Sequence, residues 1–309
     1  MLLRLGRYIA TAGVALSALW VFASVVALPP YALMIGDNPV TSTPADEGIM
    51  FESIKVPSDG LLLEGWWMPA QNPRGVMLFA HGAGSNRTST FVPSLEIYRA
   101  LVDSGLSIIA VDFRNHGNSP KTDGKLGFGA TEWRDMAAMA TWLDDQGIST
   151  LPRIGMGVSM GGAVTLRAVA EGLAINKIIL FDPALNLIDS LAQGGWVNFG
   201  LPAWIFSPMA WSAVNYFGLP SGQNDPIHIA GSLSIPTLII QDPDDPVTRA
   251  LYAKQVSEAN PEITLALAPE IQSEDTCISG KGRWGSHAAA FKCHSSWTLS
   301  VLEQFLRDL

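Results

Sequence analysis

The residue best placed to do chemistry in this sequence is Ser159. It lies in Gly157-Val158-Ser159-Met160-Gly161-Gly162, where the apolar run Arg153–Val158 gives way to a helical pattern starting at Met160. A serine on so sharp a strand-to-helix turn has a strained backbone, and glycines two residues to either side let strand and helix approach without a Cβ clash. Such a turn lifts the Ser159 hydroxyl to the carboxyl end of a parallel sheet, where ligands of open sheets bind. The chemistry it suits is nucleophilic attack, which needs a base for the hydroxyl proton and donors for the charge that develops. A glycine-rich turn without any chemistry carries the same pattern, so the partners decide between the two readings.

Three further segments follow apolar runs. His81-Gly82-Ala83-Gly84 comes directly after Val76–Ala80. Asp112-Phe113-Arg114-Asn115-His116-Gly117-Asn118-Ser119 overlaps the end of Leu106–Phe113, and Asp242-Pro243-Asp244-Asp245-Pro246-Val247 follows Pro236–Gln241. With the serine motif, and in this order, they resemble the α/β-hydrolase superfamily in its serine aminopeptidase and esterase–lipase types, from about Leu61 to the C-terminus.

The resemblance implies an oxyanion hole made by the backbone N–H groups of Ala83 and Met160. It implies Asp245 as the triad acid, aligned through Pro246-Val247, with Asp244 as the alternative because Asp242 stands where the family usually has glycine. It implies His287, in Gly285-Ser286-His287, as the base, while His294 falls at the start of the final helix. The 112–119 segment resembles a structural turn of the family in which Asn115 replaces a glycine, and asparagine tolerates the left-handed conformation. Asp112, His116 and His81 are accordingly expected to be structural. The chain order Ser159, Asp245, His287 is the one expected of this fold.

The elements that must position these residues alternate. A hairpin is expected from Ile49–Val56, a turn at Ser58-Asp59-Gly60, and Leu61–Met68. Apolar runs Val76–Ala80, Leu106–Phe113, Arg153–Val158, Lys177–Phe181, Pro236–Gln241 and Thr264–Ala268 alternate with helical patterns at Ser94–Ser104, Thr131–Asp145, Met160–Gly172 and Ser295–Arg307. Near-continuous apolar strands separated by helices predict a mostly parallel central sheet covered on both faces, an α/β class. About 184–231 is too long for a plain connection and rich in large apolar residues, and it predicts a helical cap insertion over the sheet. The hydrolase domain is expected to span 48–309.

Ahead of it, 1–36 reads as a membrane segment. No charge occurs between Arg7 and Asp37, and Ile9–Leu28 supplies about 20 apolar residues, enough to cross a core of ~30 Å. Pro29-Pro30 is expected to end the helix. Arg4 and Arg7 before the run and Asp37, Asp46 and Glu47 after it orient the N-terminus to the cytoplasm and the catalytic domain outside. The alternative is a signal peptide cleaved near Val25-Val26-Ala27.

Forty-eight per cent hydrophobic residues against fifteen per cent charged ones describe a folding chain. A net charge of −9 without a basic patch excludes a nucleic-acid partner. Cys277 and Cys293 have no zinc-ligand spacing, so neither a metal nor another cofactor is expected. In an oxidising compartment they can pair, closing a loop of about 16 residues around His287 and adding ~3 kcal/mol, or they are two separate buried thiols. The expected activity is hydrolysis of an acyl or lipid-like carboxylic ester through an acyl-enzyme. A peptidase, a thioesterase or acyltransferase, and an inactive hydrolase-fold scaffold are the alternatives.

Overall fold

The N-terminal residues form helix α1 (Leu2–Phe22), uncharged after Arg7, which runs on through a π-helical turn at Ala23–Ala27. The computed structural model describes residues 2–89 and 92–309; Met1, at the head of the 1–36 segment, and the Arg4 side chain lie outside the described residues. Arg7–Ala27 is long and apolar enough to cross a membrane, with a mean hydropathy of 2.1 and 6% of it buried. The long helix ends at Ala27, directly ahead of Pro29 and Pro30, as expected. They open a new short helix, α2 (Pro29–Ala32), where their missing N–H groups cost nothing.

The strands are β1 (Glu52–Ser58), β2 (Leu61–Met68), β3 (Gly75–Ala80), β4 (Leu106–Val111), β5 (Arg153–Val158), β6 (Lys177–Phe181), β7 (Thr237–Gln241) and β8 (Ile263–Leu267). They form one sheet in the order β1-β2-β4-β3-β5-β6-β7-β8. The hairpin β1–β2 joins β4 antiparallel, and every pairing from β4 to β8 is parallel. β3 and β4 are buried along their whole length, which is why their sequences show no polar alternation. β1 starts three residues later than the apolar run Ile49–Phe51 suggests. Glu52 already faces Trp67, next to the end of β2, so the earlier residues overrun their partner.

The helices are α3 (Ser94–Asp103), α4 (Trp133–Asp145), α5 (Met160–Ala170), α6 (Leu187–Phe199), α7 (Ala203–Tyr216), α8 (Pro226–Gly231), α9 (Ala250–Ala259), α10 (Ala290–Cys293) and α11 (Ser295–Phe305). One sheet face packs on α4, α5, α8 and α9 through residues such as Met136, Leu166, Ile229 and Val256. The other packs on α3 and α11 through Tyr98, Leu101 and Leu302. The connection between β6 and β7 therefore does two jobs. Its α6–α7 hairpin forms the cap, while α8 packs against α5 and α9 on the flank.

The cap helices cross closely because Gly195 has no side chain: a Cβ there would lie 2.3 Å from the Phe206 ring. Asn186 caps α6 by accepting the Asp189 N–H at 2.9 Å, and Gly200 ends it in the left-handed conformation at φ 75°. Cys277 and Cys293 are disulfide-bonded, with Cα atoms 5.3 Å apart, so the segment between β8 and α11 is cross-linked to itself.

Candidate active site

Ser159 sits between β5 and α5 at φ 53° and ψ −116°, a conformation that costs a side-chain-bearing residue about 1–3 kcal/mol. The flanking glycines make it possible. A Cβ on Gly157 would lie 2.4 Å from the Gly161 carbonyl oxygen, and one on Gly161 would lie 2.0 Å from that of Ala80. Three backbone hydrogen bonds hold the turn: the Ser159 N–H donates to Phe181 O at 2.9 Å, and the Gly162 and Ala184 N–H groups donate to Ser159 O at 3.0 and 3.1 Å.

Three side chains from distant parts of the chain meet at this turn. Ser159 Oγ lies 3.0 Å from His287 Nε2, and His287 Nδ1 lies 2.7 Å from Asp245 Oδ2. Asp245 is buried in the loop after β7, and its other oxygen accepts the Val247 and Thr248 N–H groups at 2.7 and 2.8 Å. A carboxylate so placed fixes the His287 proton on Nδ1 and leaves Nε2 as acceptor for the serine hydroxyl. The neighbouring Asp244 points to solvent, and His294 sits at the N-terminus of α11. Neither is brought into this group.

Two residues beyond those read from sequence complete it. Asp182 directly follows β6; its Oδ1 accepts the Asp242 N–H at 2.7 Å and its Oδ2 the Ala288 N–H at 2.9 Å. It thereby ties the loop carrying Asp245 to the loop carrying His287. Burial, then the charge of Asp245, pushes the Asp182 carboxyl well above the usual carboxylate range. Thr248 Oγ–H donates to Asp245 Oδ2 at 2.7 Å and lies 3.0 Å from the Asp182 carbonyl oxygen. The sequence signal for Asp182 was its place at the carboxyl end of a strand, the edge that also carries Ser159 and Asp242.

Asp182, Asp245 and His287 bring potential metal-ligand atoms within 4.8 Å of one another. Their oxygens, however, accept N–H hydrogen bonds, a donor-filled arrangement suited to orienting a proton and not to caging a cation.

The loop after β3 lies against the serine, with the Gly82 Cβ position 3.6 Å from Ser159 Cβ. His81 holds it: Nδ1 lies 2.9 Å from Gly82 O, and Nε2 accepts the Phe113 N–H at 3.1 Å. Burial, then the nearby His116, drives the His81 pKa well below its ordinary value, so the ring is neutral and structural. Among the described residues no backbone acceptor takes the Ala83 N–H, and Met160, as the first residue of α5, has no intrahelical acceptor. Asp112 accepts the Arg87 and Asn118 N–H groups and pairs with the Arg87 guanidinium, while Asn115 takes φ 69°. That segment is a largely buried turn packed against His81.

Ser159 and His287 open into a cavity of about 1220 Å³ roofed by the cap, with Leu191, Phe199, Phe206 and Met209 on its apolar side. The cap is fastened to both loops. Arg283 Nε donates to Val197 O at 3.1 Å, and Arg249 pairs with Asp189 of α6.

Residues 77–280 match the model of the alpha/beta hydrolase family, and the chain belongs to that family. An uncharacterized protein of Mycobacterium tuberculosis is 26% identical over 226 residues, 71% of this chain and 69% of that one. An uncharacterized protein of Rickettsia prowazekii is 29% identical over 91 residues, 29% of this chain and 37% of the other. Among solved structures, the Pyrococcus furiosus esterase Pf2001 is similar at TM-score 0.70 and 21% identity, covering 89% of this chain and 97% of its own. Est1E from Butyrivibrio proteoclasticus, solved with ferulic acid, is similar at TM-score 0.60 and 15% identity, covering 82% and 98%. These likenesses show the fold, with its mostly parallel eight-stranded sheet.

Proposed function

We propose that this alpha/beta hydrolase is a membrane-anchored serine hydrolase that cleaves carboxylic esters of acyl or lipid-like character. The observation that carries the reading is the hydrogen-bonded line Ser159 Oγ–His287–Asp245 opening into a cavity with an apolar wall. His287 Nε2 takes the Ser159 proton as Oγ attacks the ester carbonyl carbon. The oxyanion that forms is held by the Ala83 and Met160 N–H groups, each donor contributing about 3 kcal/mol to the transition state. His287 returns the proton to the departing alkoxide, the alcohol leaves, and a water molecule repeats the sequence on the acyl-enzyme. Asp245 keeps the imidazole in the required tautomer throughout.

The esterases among its structural neighbours support ester chemistry for this chain. The exposed apolar span Arg7–Ala27 supports an anchor, and the Cys277–Cys293 bond supports an oxidising, extracytoplasmic location for the domain. The catalytic domain then occupies 48–309, and 1–36 is the anchor.

A fluorophosphonate probe tests the centre: it is expected to label the wild type and to leave Ser159→Ala unlabelled. Equal labelling of both, or of neither, defeats the proposal. Turnover of p-nitrophenyl esters with none of aminoacyl-nitroanilides separates an esterase from a peptidase.

A further inference from the structure

We propose that the outer face of the α6–α7 hairpin docks on the bilayer and opens the cavity onto the lipid leaflet, so that the substrate is a water-insoluble acyl ester drawn from that leaflet. This deepens the ester-hydrolase reading and rests on the reading of Arg7–Ala27 as a membrane anchor.

The first observation is where the anchor ends. Its last turn is seated on α7: Ser212, fully buried on that helix, donates its hydroxyl to Val25 O at 2.5 Å. Val25 lies two residues before the end of the apolar span at Ala27. The cap helix is therefore held at the level where the chain leaves the hydrocarbon. A cap fastened there cannot face bulk water on all sides.

The second is what the cap exposes. From Ser190 to Asn224 there is no charged residue. Trp204 and Trp211, seven residues apart and so on one face of α7, are 68% and 44% exposed, and Tyr216 packs edge-on against Trp211. A contiguous uncharged face of tryptophan and tyrosine suits the headgroup boundary, where one end of each ring is apolar and the other is wet. On a water-facing surface the same patch invites aggregation.

The third is the mouth of the cavity. Tyr31 and Phe199 both line it and are 76% and 72% exposed, so they mark its rim. Tyr31 stands four residues beyond the anchor, a rise of about 6 Å along a helix. Phe199 ends α6. The rim is thus built from the anchor's own linker and the cap's aromatic face, both at the membrane surface, and a lipid acyl chain can pass from leaflet to Ser159 without crossing water.

The test uses the full-length protein in phosphatidylcholine vesicles, comparing wild type with the double variant Trp204→Gln/Trp211→Gln, whose residues do not line the cavity. Two substrates are given, a water-soluble short-chain p-nitrophenyl ester and a fluorogenic long-chain acyl ester embedded in the vesicles. The double variant is expected to stay in the membrane after carbonate washing, to keep soluble-ester turnover within twofold, and to lose at least tenfold on the embedded ester. Equal effects on both substrates, or no loss on the embedded one, overturn the docking face. Extraction of the wild type by carbonate overturns it through the anchor. Should wild type turn over neither ester, the hydrolase reading fails and the face is read directly from a fluorophore on Trp204→Cys. Quenching by lipid-borne quenchers upholds the docking, and quenching by aqueous iodide alone overturns it.

Discussion

Asp182 accepts the backbone N–H of Ala288, the residue after His287, at 2.9 Å, although 106 positions separate them in the chain. Its second oxygen accepts the Asp242 N–H, so one carboxyl group sets the distance between the loops that carry Asp245 and His287. Asp182→Asn keeps an acceptor for only one of these amides and turns an NH₂ toward the other. A buried amide left unpaired costs about 1–3 kcal/mol, which lowers Tm by roughly 2–12 °C. Turnover is expected to fall about tenfold with KM for a short ester little changed, because the substituted group does not touch substrate. Steady-state kinetics beside calorimetry checks this, and an unchanged kcat would mean that Asp245 and His287 hold their spacing without it.

The contribution of Lys281 to stability varies with pH. Its ammonium donates to His287 O at 2.8 Å, and burial, followed by the charge of Lys292, lowers its pKa to about 8. The unfolded chain releases that proton only near the ordinary lysine value of about 10.5. Between these values the unfolded state holds more protons, so this group's contribution to stability rises with pH across the window. Below pH 8 both states are charged and the cost of burying the charge is undiminished. The Tm of the wild type minus that of Lys281→Met is therefore expected to rise between pH 8 and 10.5, by about 2–5 °C after discounting for partial exposure. A difference that stays flat would put the amine in water-like surroundings.

How much of this was legible in the sequence depends on how far apart the cooperating residues lie. The turn at Ser159 is encoded in six contiguous residues, and the glycines that serve it do so for the reason their spacing suggests: two Cβ atoms would strike backbone oxygens. The strands were legible to within two residues wherever turn residues bound an apolar run, and misplaced at Ile49, where apolar residues outrun their partner strand. Asp245 and His287 were legible only through their order and their flanking residues, and their distances from Ser159 come from the fold alone. The work of Asp182 and the seating of Val25 on Ser212 were not legible at all, because each is a contact across dozens of residues or more that no local pattern records.

The Cys277–Cys293 bond closes the segment in which His287 stands. A cross-link over a loop of about this length restricts the unfolded chain by ~3 kcal/mol, so Cys277→Ser/Cys293→Ser is expected to melt about 6–12 °C lower. Among the described residues the small cluster around the bond contains Ile271, Ile278 and Ala289, which means that the loss also loosens the loop that carries His287. Hydrogen exchange over 269–294 is expected to speed up in the variant while the amides of β3–β7 keep their protection. Uniform acceleration across the sheet would show that the bond stabilises the whole domain and not this loop.

Gly195 decides the depth of the cavity's apolar end. The Phe206 ring lies where a Cβ on Gly195 would be, at 2.3 Å, and Phe206 itself lines the cavity with Phe199 and Met209. Gly195→Val must move that ring, and the cavity that Phe206 lines is the open space next to it. Losing room for two or three methylenes at about 0.8 kcal/mol each corresponds to a ten- to fiftyfold loss in kcat/KM for long acyl chains. The p-nitrophenyl ester series from acetate to decanoate is expected to show that loss from about the octanoate upward, with the acetate within threefold of wild type. If all chain lengths fell together, Phe206 would be shaping the cap as a whole and not bounding an acyl pocket. If none fell, the acyl chain would lie elsewhere, and the apolar wall formed by the cap would have to be reassigned to the alcohol side of the ester.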